Sequence, residues 1–492
     1  MMKRLQIVES LNRLLDGIVT APVPEGICIT GLSLDSRAIE HGNLFLGLPG
    51  IQSDGRSFVR QAITSGASAV LLEGNDSANQ EFEVPCYRVS NLREHVGLIA
   101  SRFYGSPSRF LCIVGFTGTN GKTTCAALAT QALASMGHDC GMIGTLGMGR
   151  WGDLESTDLT TPDAVALQAG LAQMVESGID TVCMEVSSHA LDQSRVKALD
   201  FDAAVLTNIS RDHIDYHGSL ESYAATKFLL FQEHSVQAAV INVADPYGFD
   251  LVNSSTSENI WTYGYDNTAS VYIKKTEISS SSIRLWLETS DGPLYIEAPL
   301  LGRINAINLV AVVTVLLALD HKIAEIEDAM SCIEPIPGRM EIVSSVDSPV
   351  RVVIDYAHTP NALEQSLFSL REHTSQHLWC VFGCGGNRDK GKRAIMGSVS
   401  DRLADKIVLT NDNPRDEDPN QILSDIEVGI RHHDVVKIPE RQAAISYAIS
   451  HAGSGDIVLV AGKGHETQQI VGSDYIPLCD RTIAINCLEA MH

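Results

Sequence analysis

The run GFTGTNGKTT, Gly115 to Thr124, joins closely set glycines to a lysine and two threonines. Glycines let backbone N–H groups turn toward an anion, and a lysine beside hydroxyls meets phosphate and a divalent cation. The chemistry this suits is nucleotide binding. The general phosphate-loop spacing, G-x-x-x-x-G-K-[ST], asks for glycine at 116, where this chain has Phe116. Gly115, one residue earlier, still permits a tight exit from a strand. The expected ATP contacts are Gly118, Thr119, Asn120, Gly121, Lys122, Thr123 and Thr124, with Lys122 facing the β/γ-phosphates and Thr123 ligating Mg²⁺.

Three further segments carry reactive side chains. MEVSSHALDQSRV holds Glu185 beside Ser187, Ser188 and His189, LTNISRDHIDYHG holds His213, and SLESYAATKFLLF carries Lys227. Taken alone, a strand-end glutamate also serves as a structural hydrogen-bonder, and a helix lysine ordinarily faces solvent. Near the C-terminus, DNPR (Asp412, Asn413, Pro414, Arg415) is by composition also a plain Asx–Pro turn. GGNRDKGKR supplies Arg388, and AGKGHE supplies Gly462 and Glu466.

Positioning these groups takes more than one core. The chain has 492 residues, beyond the ~250–300 at which a single core stops growing. Apolar, β-branched runs that end in Gly, Asn or Asp alternate with helical patterns, which points to parallel α/β architecture. Before residue 103, ASAVLLEG reads as a strand, and FYGSPSR is a Pro/Gly/Ser junction. The strands LCIVG, TVCMEVSS, AAVLTNIS and AAVINVAD follow, then a β-rich patch of two hairpins, VYIKKTEISSSSIRLWLE and PLYIEAPL. A helix over RINAINLVAVVTVLLALD leads to EPIPGRME, whose prolines break the pattern. The last part offers VVIDYAHTP, LWCVFGCGGNRD, KIVLTNDNPRDEDP and DIVLVAGKGHE, each an apolar strand followed by a polar loop. Ligands of open α/β sheets bind beyond the carboxyl ends of strands, so these loops are where a site should form. The expected domains are 1–103, small and α/β; 104–336, a P-loop ATPase with a parallel sheet plus the β-rich patch; and 337–492, doubly wound and Rossmann-like.

A formal net charge of −24 argues against nucleic acid or an anionic membrane as the main partner. The eleven cysteines include no C-x-x-C pair, as expected of reduced thiols in a cytoplasmic protein. The N-terminus opens with Lys3 and Arg4 but has no continuous apolar stretch of the signal-peptide kind. The longest apolar run, LVAVVTVLLAL, is too short to cross a membrane, so no membrane insertion is expected.

TGTNGKT, taken together with Glu185, His213 and Lys227, resembles the ATP-dependent Mur ligases of peptidoglycan synthesis and the related folylpolyglutamate synthetases. The resemblance to the Mur ligases covers essentially the whole chain. It implies Mg²⁺ bound through Thr123, Glu185 and His213, and a carbamylated Lys227 beside the second metal. It also implies nucleotide or closure contacts from Asn305, Asn308, Arg339, Asp355 and His358. The short motifs resemble those of the tripeptide-forming branch of the family, whose substrates are UDP-N-acetylmuramoyl-L-alanyl-D-glutamate and an amino acid. On that resemblance the UDP segments are LDSR, with Leu34 and Ser36, and IQSDG, with Ile51, Gln52 and Ser53. Thr160, Thr161, Ser187, Gln193 and Arg195 match sugar–peptide contacts. DNPR is the form seen where meso-diaminopimelate is added. Arg415 and Arg388 suit its second carboxylate, because a guanidinium binds a carboxylate through two parallel bonds. Gly462 and Glu466 would hold its distal ammonium.

The implied enzyme transfers the γ-phosphoryl group of ATP to a carboxylate and then replaces phosphate with an amine. A monomer that closes its third domain over ATP is expected. Alternatives are a lysine-adding or a murein-peptide-recycling ligase of the same family, and a non-catalytic nucleotide-gated scaffold.

Overall fold

A computed structural model describes residues 7–50, 53–74, 82–279, 282–344 and 348–490. The architecture is α/β, with sheets of four, eleven and six strands. The first is all parallel, pairing Gly31–Ser33, Asn43–Gly47, Ala69–Glu73 and Cys86–Val89 in that order. Asn43–Gly47 is buried throughout, as a strand with neighbours on both sides must be.

In the eleven-stranded sheet, Cys112–Thr117 lies between Thr181–Glu185 and Phe201–Leu206, all three parallel. Val236–Asn242 and Asn259–Gly264 continue the parallel part. The expected β-rich patch is present and extends this same sheet. Val271–Ile278 pairs with Asn259–Gly264 through Tyr263 and Gly264, and Ile283–Thr289 and Gly292–Ala298 follow antiparallel. At that outer edge the Tyr295 N–H donates to Glu327 Oε1 at 2.7 Å, from the helix Ile323–Ser331. At the opposite edge stands the three-residue strand Asp153–Glu155.

Helices Lys122–Ser135 and Arg303–Ala318 are apolar nearly all round and are buried together beneath the sheet. A helix without a polar face is stable only when enclosed, and here sheet and helix enclose each other.

The six-stranded sheet has the order Glu341–Ile342, Arg351–Asp355, Ile457–Ala461, Leu378–Phe382, Lys406–Leu409, Val435–Lys437, with only the first strand antiparallel. Because the other five are parallel, the loops after Asp355, Phe382, Leu409 and Ala461 emerge along one edge. Beneath them Arg441, at the start of helix Arg441–His451, donates from Nε and NH2 to both Asp480 oxygens at 2.8 and 2.7 Å. Its NH1 and NH2 also cap the carbonyls of Asn411 and Ala461. Neither side chain of the pair is exposed.

Arg441→Met would strand the Asp480 carboxylate in an apolar interior, at a cost of about 3–5 kcal/mol. Urea unfolding checks this; a loss below about 1 kcal/mol would mean that water reaches the pair.

Candidate active site

Phe116 is fully buried in the core beneath the P-loop helix, whereas Gly115 faces the other side of the sheet. A Cβ on Gly115 would lie 2.8 Å from the Phe201 ring. The displaced glycine is thus a packing requirement of the strand, and the loop proper begins at Gly118. There φ is +142°, and a Cβ would lie 1.9 Å from Thr207 Oγ1. Only glycine fits.

The loop is held from outside itself. Thr119 N donates to the Asn208 carbonyl at 2.7 Å, Asn120 N to Asn208 Oδ1 at 3.0 Å, and the Tyr223 hydroxyl to Thr119 Oγ1 at 3.2 Å. Lys122 Nζ donates to the carbonyls of Gly118 and Thr119, both at 2.9 Å. Burial lowers the pKa of this amine, while Glu185 and Asp212 pull it back up. Thr123 Oγ1 accepts from Arg339 NH2 at 3.0 Å, and the guanidinium lies over the Tyr356 ring. Asn308 donates to Asn305 Oδ1 at 3.1 Å, and Asn305 in turn to the Leu301 carbonyl. These two asparagines are buried in the helix behind the loop.

Glu185 ends its strand with 1% of its surface exposed, and its Oε1 accepts the Thr145 N–H at 2.7 Å. His213 has φ +52° and places Nε2 3.4 Å from Asp212 Oδ2. Burial drives the His213 imidazole down to about 4 despite Asp212, so it is neutral near pH 7 and free to ligate. Burial would raise the Asp212 carboxyl, but His213, His358, Lys392 and Lys122 hold it below the usual range. Lys227 does not face solvent. It is 1% exposed, with Nζ 4.7 Å from the centre of the Tyr223 ring. Burial first, then the charge of Lys122, puts its pKa well below that of ordinary lysine, with Asp212 opposing.

No cluster of three His, Cys, Asp or Glu side chains at metal-binding separation occurs among the described residues. Mg²⁺ does not need one, because it is commonly held by one or two carboxylates together with substrate phosphates and water. Glu185, Asp212 and Thr123 all line the cavity that the P-loop enters, and that oxygen set fits Mg²⁺.

Loops at the strand ends of the six-stranded sheet line the same cavity. Asp355 receives the Ser366 hydroxyl at 2.5 Å and the Met340 and Tyr356 N–H groups, and burial raises its pKa. Lys463, fully buried, donates to Asn413 Oδ1 at 3.0 Å, Glu466 Oε2 at 2.6 Å and the Gln468 carbonyl at 2.7 Å. Arg415 has φ +52° and is fixed through its backbone: its N–H donates to the Ile470 carbonyl and its carbonyl accepts from Gly472 N. Its NH1 donates to the Gly386 carbonyl at 2.9 Å. Burial and the neighbouring Arg388 cation both lower its pKa. Among the described residues neither Arg388 nor Arg415 makes an ion pair within 4.0 Å. The carboxylates of Asp412 and Glu466 act on Arg415 from beyond that distance.

One cavity of about 690 Å³ unites these groups. Thr119 to Thr124, Glu185 and His213 line it, as do Asn305, Arg339, Asp355 and His358. Thr160, Ser187 and Arg195 line one part, and Arg388, Asp412, Asn413, Arg415, Gly462 and Glu466 another. Gly118, Thr161, Gln193, Lys227 and Pro414 are not among the residues that line the cavity. Gln193 Oε1 accepts from Arg195 at 2.7 Å, and the Thr161 hydroxyl donates to the Glu185 carbonyl at 2.7 Å.

The first-sheet residues are not brought to this cavity. Ser36 is buried with its hydroxyl donating to Gln61, Leu34 is half-buried, and Ser53 is exposed. Ile51 and Gln52 lie outside the described residues. Unforeseen lining residues include Asp212, Thr145, Lys392 and His465. Asp212 adjoins His213 in SRDHID and was within reach of the same reading. No helix among the described residues is long and apolar enough to cross a membrane.

Three family profiles match in succession: the Mur ligase family catalytic domain over 28–104, the Mur ligase middle domain over 116–316, and the Mur ligase glutamate ligase domain over 338–464. The chain belongs to the Mur ligase family. Among its relatives within the family is the UDP-N-acetylmuramoyl-L-alanyl-D-glutamate–2,6-diaminopimelate ligase of Pseudomonas putida, 44% identical over 94% of this chain and 95% of the relative. The protein of the same name from Coxiella burnetii is 42% identical over 96% and 97%. A solved structure under that name superimposes with a TM-score of 0.70 at 35% identity, covering 99% of this Mur ligase and all of the other chain.

Proposed function

We propose that this Mur ligase joins meso-diaminopimelate to the D-glutamate of UDP-N-acetylmuramoyl-L-alanyl-D-glutamate, using ATP, in peptidoglycan precursor synthesis. The observation that carries the reading is the single cavity in which a P-loop, a set of oxygen ligands and an unpaired Arg388–Arg415 site meet. Residues 1–103 would hold the UDP end, 104–336 ATP, and 337–492 the amino acid.

The P-loop N–H groups and Lys122 orient the triphosphate, and Arg339 and Asn305 flank it. Thr160, Ser187 and Arg195 hold the peptide so that its carboxylate oxygen faces the γ-phosphorus. The O–P bond forms as the bond to ADP breaks, leaving an acyl phosphate. The amino acid, held by Arg388, Arg415, Asn413 and Glu466, then brings its neutral amine to the acyl carbon. The C–N bond forms, inorganic phosphate leaves with its oxygen, and the amine proton passes to solvent. Thr123, Glu185, Asp212 and His213 would hold Mg²⁺, which when bound screens the two anions and steadies the charge of phosphoryl transfer.

Phosphate release from ATP with the UDP-dipeptide present, and diaminopimelate, L-lysine or no amino acid added, tests the reading. Release only with diaminopimelate is expected. Equal release with lysine would remove the Arg415 argument, and no release from ATP-bound protein would end the ligase reading. Chelation with EDTA should stop release and added Mg²⁺ restore it, while the melting temperature stays put. A large fall in melting temperature on chelation would show a structural metal, contrary to the donor set.

A further inference from the structure

His465 has no part in the scheme above, yet it spans the two halves of the cavity. It lies in the GKGHE loop between Gly462 and Glu466, on the six-stranded sheet's edge. Its Nε2 meets the Thr145 carbonyl of the central sheet at 3.1 Å, across 320 residues of chain. A carbonyl only accepts, so Nε2 carries the proton. Nδ1 is then a bare lone pair, buried with no hydrogen-bond partner among the described residues. Burial depresses this imidazole to about 4, which keeps that neutral tautomer.

Thr145 opens the two-residue turn between strands Cys140–Gly144 and Gly147–Arg150. Its own N–H is the donor to Glu185 Oε1 at 2.7 Å. The fit beneath is close, since a Cβ on Gly144 would lie 2.4 Å from the same oxygen. Thus one residue of a tight turn is held by His465 at its carbonyl and holds Glu185 at its amide. A second contact ties the same loop to the P-loop: the His465 ring lies 5.5 Å from the Tyr356 ring, which carries the Arg339 guanidinium bonded to Thr123.

We propose that His465 is a positioning residue. By donating to Thr145 it fixes the turn that aims Glu185, and so links the loop holding the incoming amino acid to the phosphoryl-transfer site. The inference rests on the ligase reading above. It implies that the first chemical step senses whether the acceptor loop is in place, through one neutral hydrogen bond.

The test compares His465→Gln with His465→Leu, both close to the imidazole in size, only the first keeping an N–H at similar reach. The readouts are kcat, the KM for ATP, and the rate of ADP formation in a single turnover. Partners that orient a ligand from behind it are worth about 10–100-fold. His465→Leu is therefore expected to lose that factor in kcat and in single-turnover ADP formation, with the KM for ATP within about two-fold of wild type. His465→Gln should recover most of the loss. Equal rates for the two variants, fast or slow, would overturn the proposal. Should His465→Leu fail to fold, His465→Asn, whose N–H is too short to reach Thr145, takes its place with the same expectation. Wild-type turnover with diaminopimelate, run alongside, reports on the underlying reading. Its absence would overturn both, whereas normal turnover in His465→Leu overturns this one alone.

Discussion

Lys227→Ala should lower kcat by about 10²–10³-fold, the usual loss when a preorganised charge is taken from a phosphoryl-transfer site. The reason lies in where this lysine is. Its ammonium is buried, its pKa is depressed by desolvation and by Lys122, and its Nζ lies against the Tyr223 ring. A lysine whose pKa falls spends more of its time as the free amine near neutral pH. A free amine adds to carbon dioxide: the N–C bond forms, one proton leaves, and the side chain ends in a carboxylate. That product carries its own negative charge toward Lys122 and Asp212's neighbourhood, where oxygen ligands are already gathered. Burial disfavours the ammonium, and the neighbouring Lys122 cation would offset the charge of a carbamate. The check is kcat for Lys227→Ala with and without a short carboxylate such as acetate or formate, beside wild type with and without bicarbonate. Partial recovery by the added carboxylate is expected. A variant within about three-fold of wild type would show that the amine acts only as filler, since lost charge stabilisation would cost far more.

The second large effect concerns the amino acid. Arg415→Met should cost diaminopimelate about 2–5 kcal/mol, or some 30- to several thousand-fold in kcat/KM, while the kcat/KM for L-lysine should hold or rise. The asymmetry follows from charge. The side-chain carboxylate is the group that lysine lacks, and Arg415 is half-buried beside the exposed Arg388, with Asp412 and Glu466 acting on it only from beyond ion-pair distance. With diaminopimelate bound, two guanidiniums share one carboxylate. With lysine bound, the half-buried Arg415 is left without that partner, which disfavours lysine. Arg388 persists in the variant, so the lower end of the range is the expected value. Arg415→Lys, which keeps the charge but not the fork, should fall between. Competition between the two amino acids in one tube measures the ratio directly; a ratio unmoved by Arg415→Met would place the carboxylate elsewhere.

Much of this site could be read from spacing. The P-loop declares itself because a turn around phosphate tolerates few residue types, and the C-terminal loops because parallel strands must end on one edge. Lys227 was harder. SLESYAATKFLLF is apolar around most of its circumference, and Tyr223 stands four residues before the lysine, on the same face. That pattern already spoke against a solvated lysine. The continuity of the central sheet was not legible. A turn between strands looks the same whether the hairpin stands alone or adds to a neighbour, and only the Tyr263–Val271 pairing decides it. The His465–Thr145 contact is beyond any local pattern, since neither residue has a neighbour that announces the other. The UDP segments remain the least determined: Ser36 is turned to Gln61, and the resemblance that singled it out names a residue type rather than a direction.

An eleven-stranded sheet carries two unpaired rims, each a template on which another chain could grow. In this protein both are blunted. Glu327 occupies the Tyr295 amide on one rim, and the other ends in a strand of only three residues that offers little length to copy. A negative carboxylate set into a hydrogen-bonding rim also repels the like-charged surface of a second molecule, since the chain as a whole is strongly acidic. The contact removes one open donor from that rim and sets a charge there, both of which weigh against edge-to-edge pairing with a second molecule.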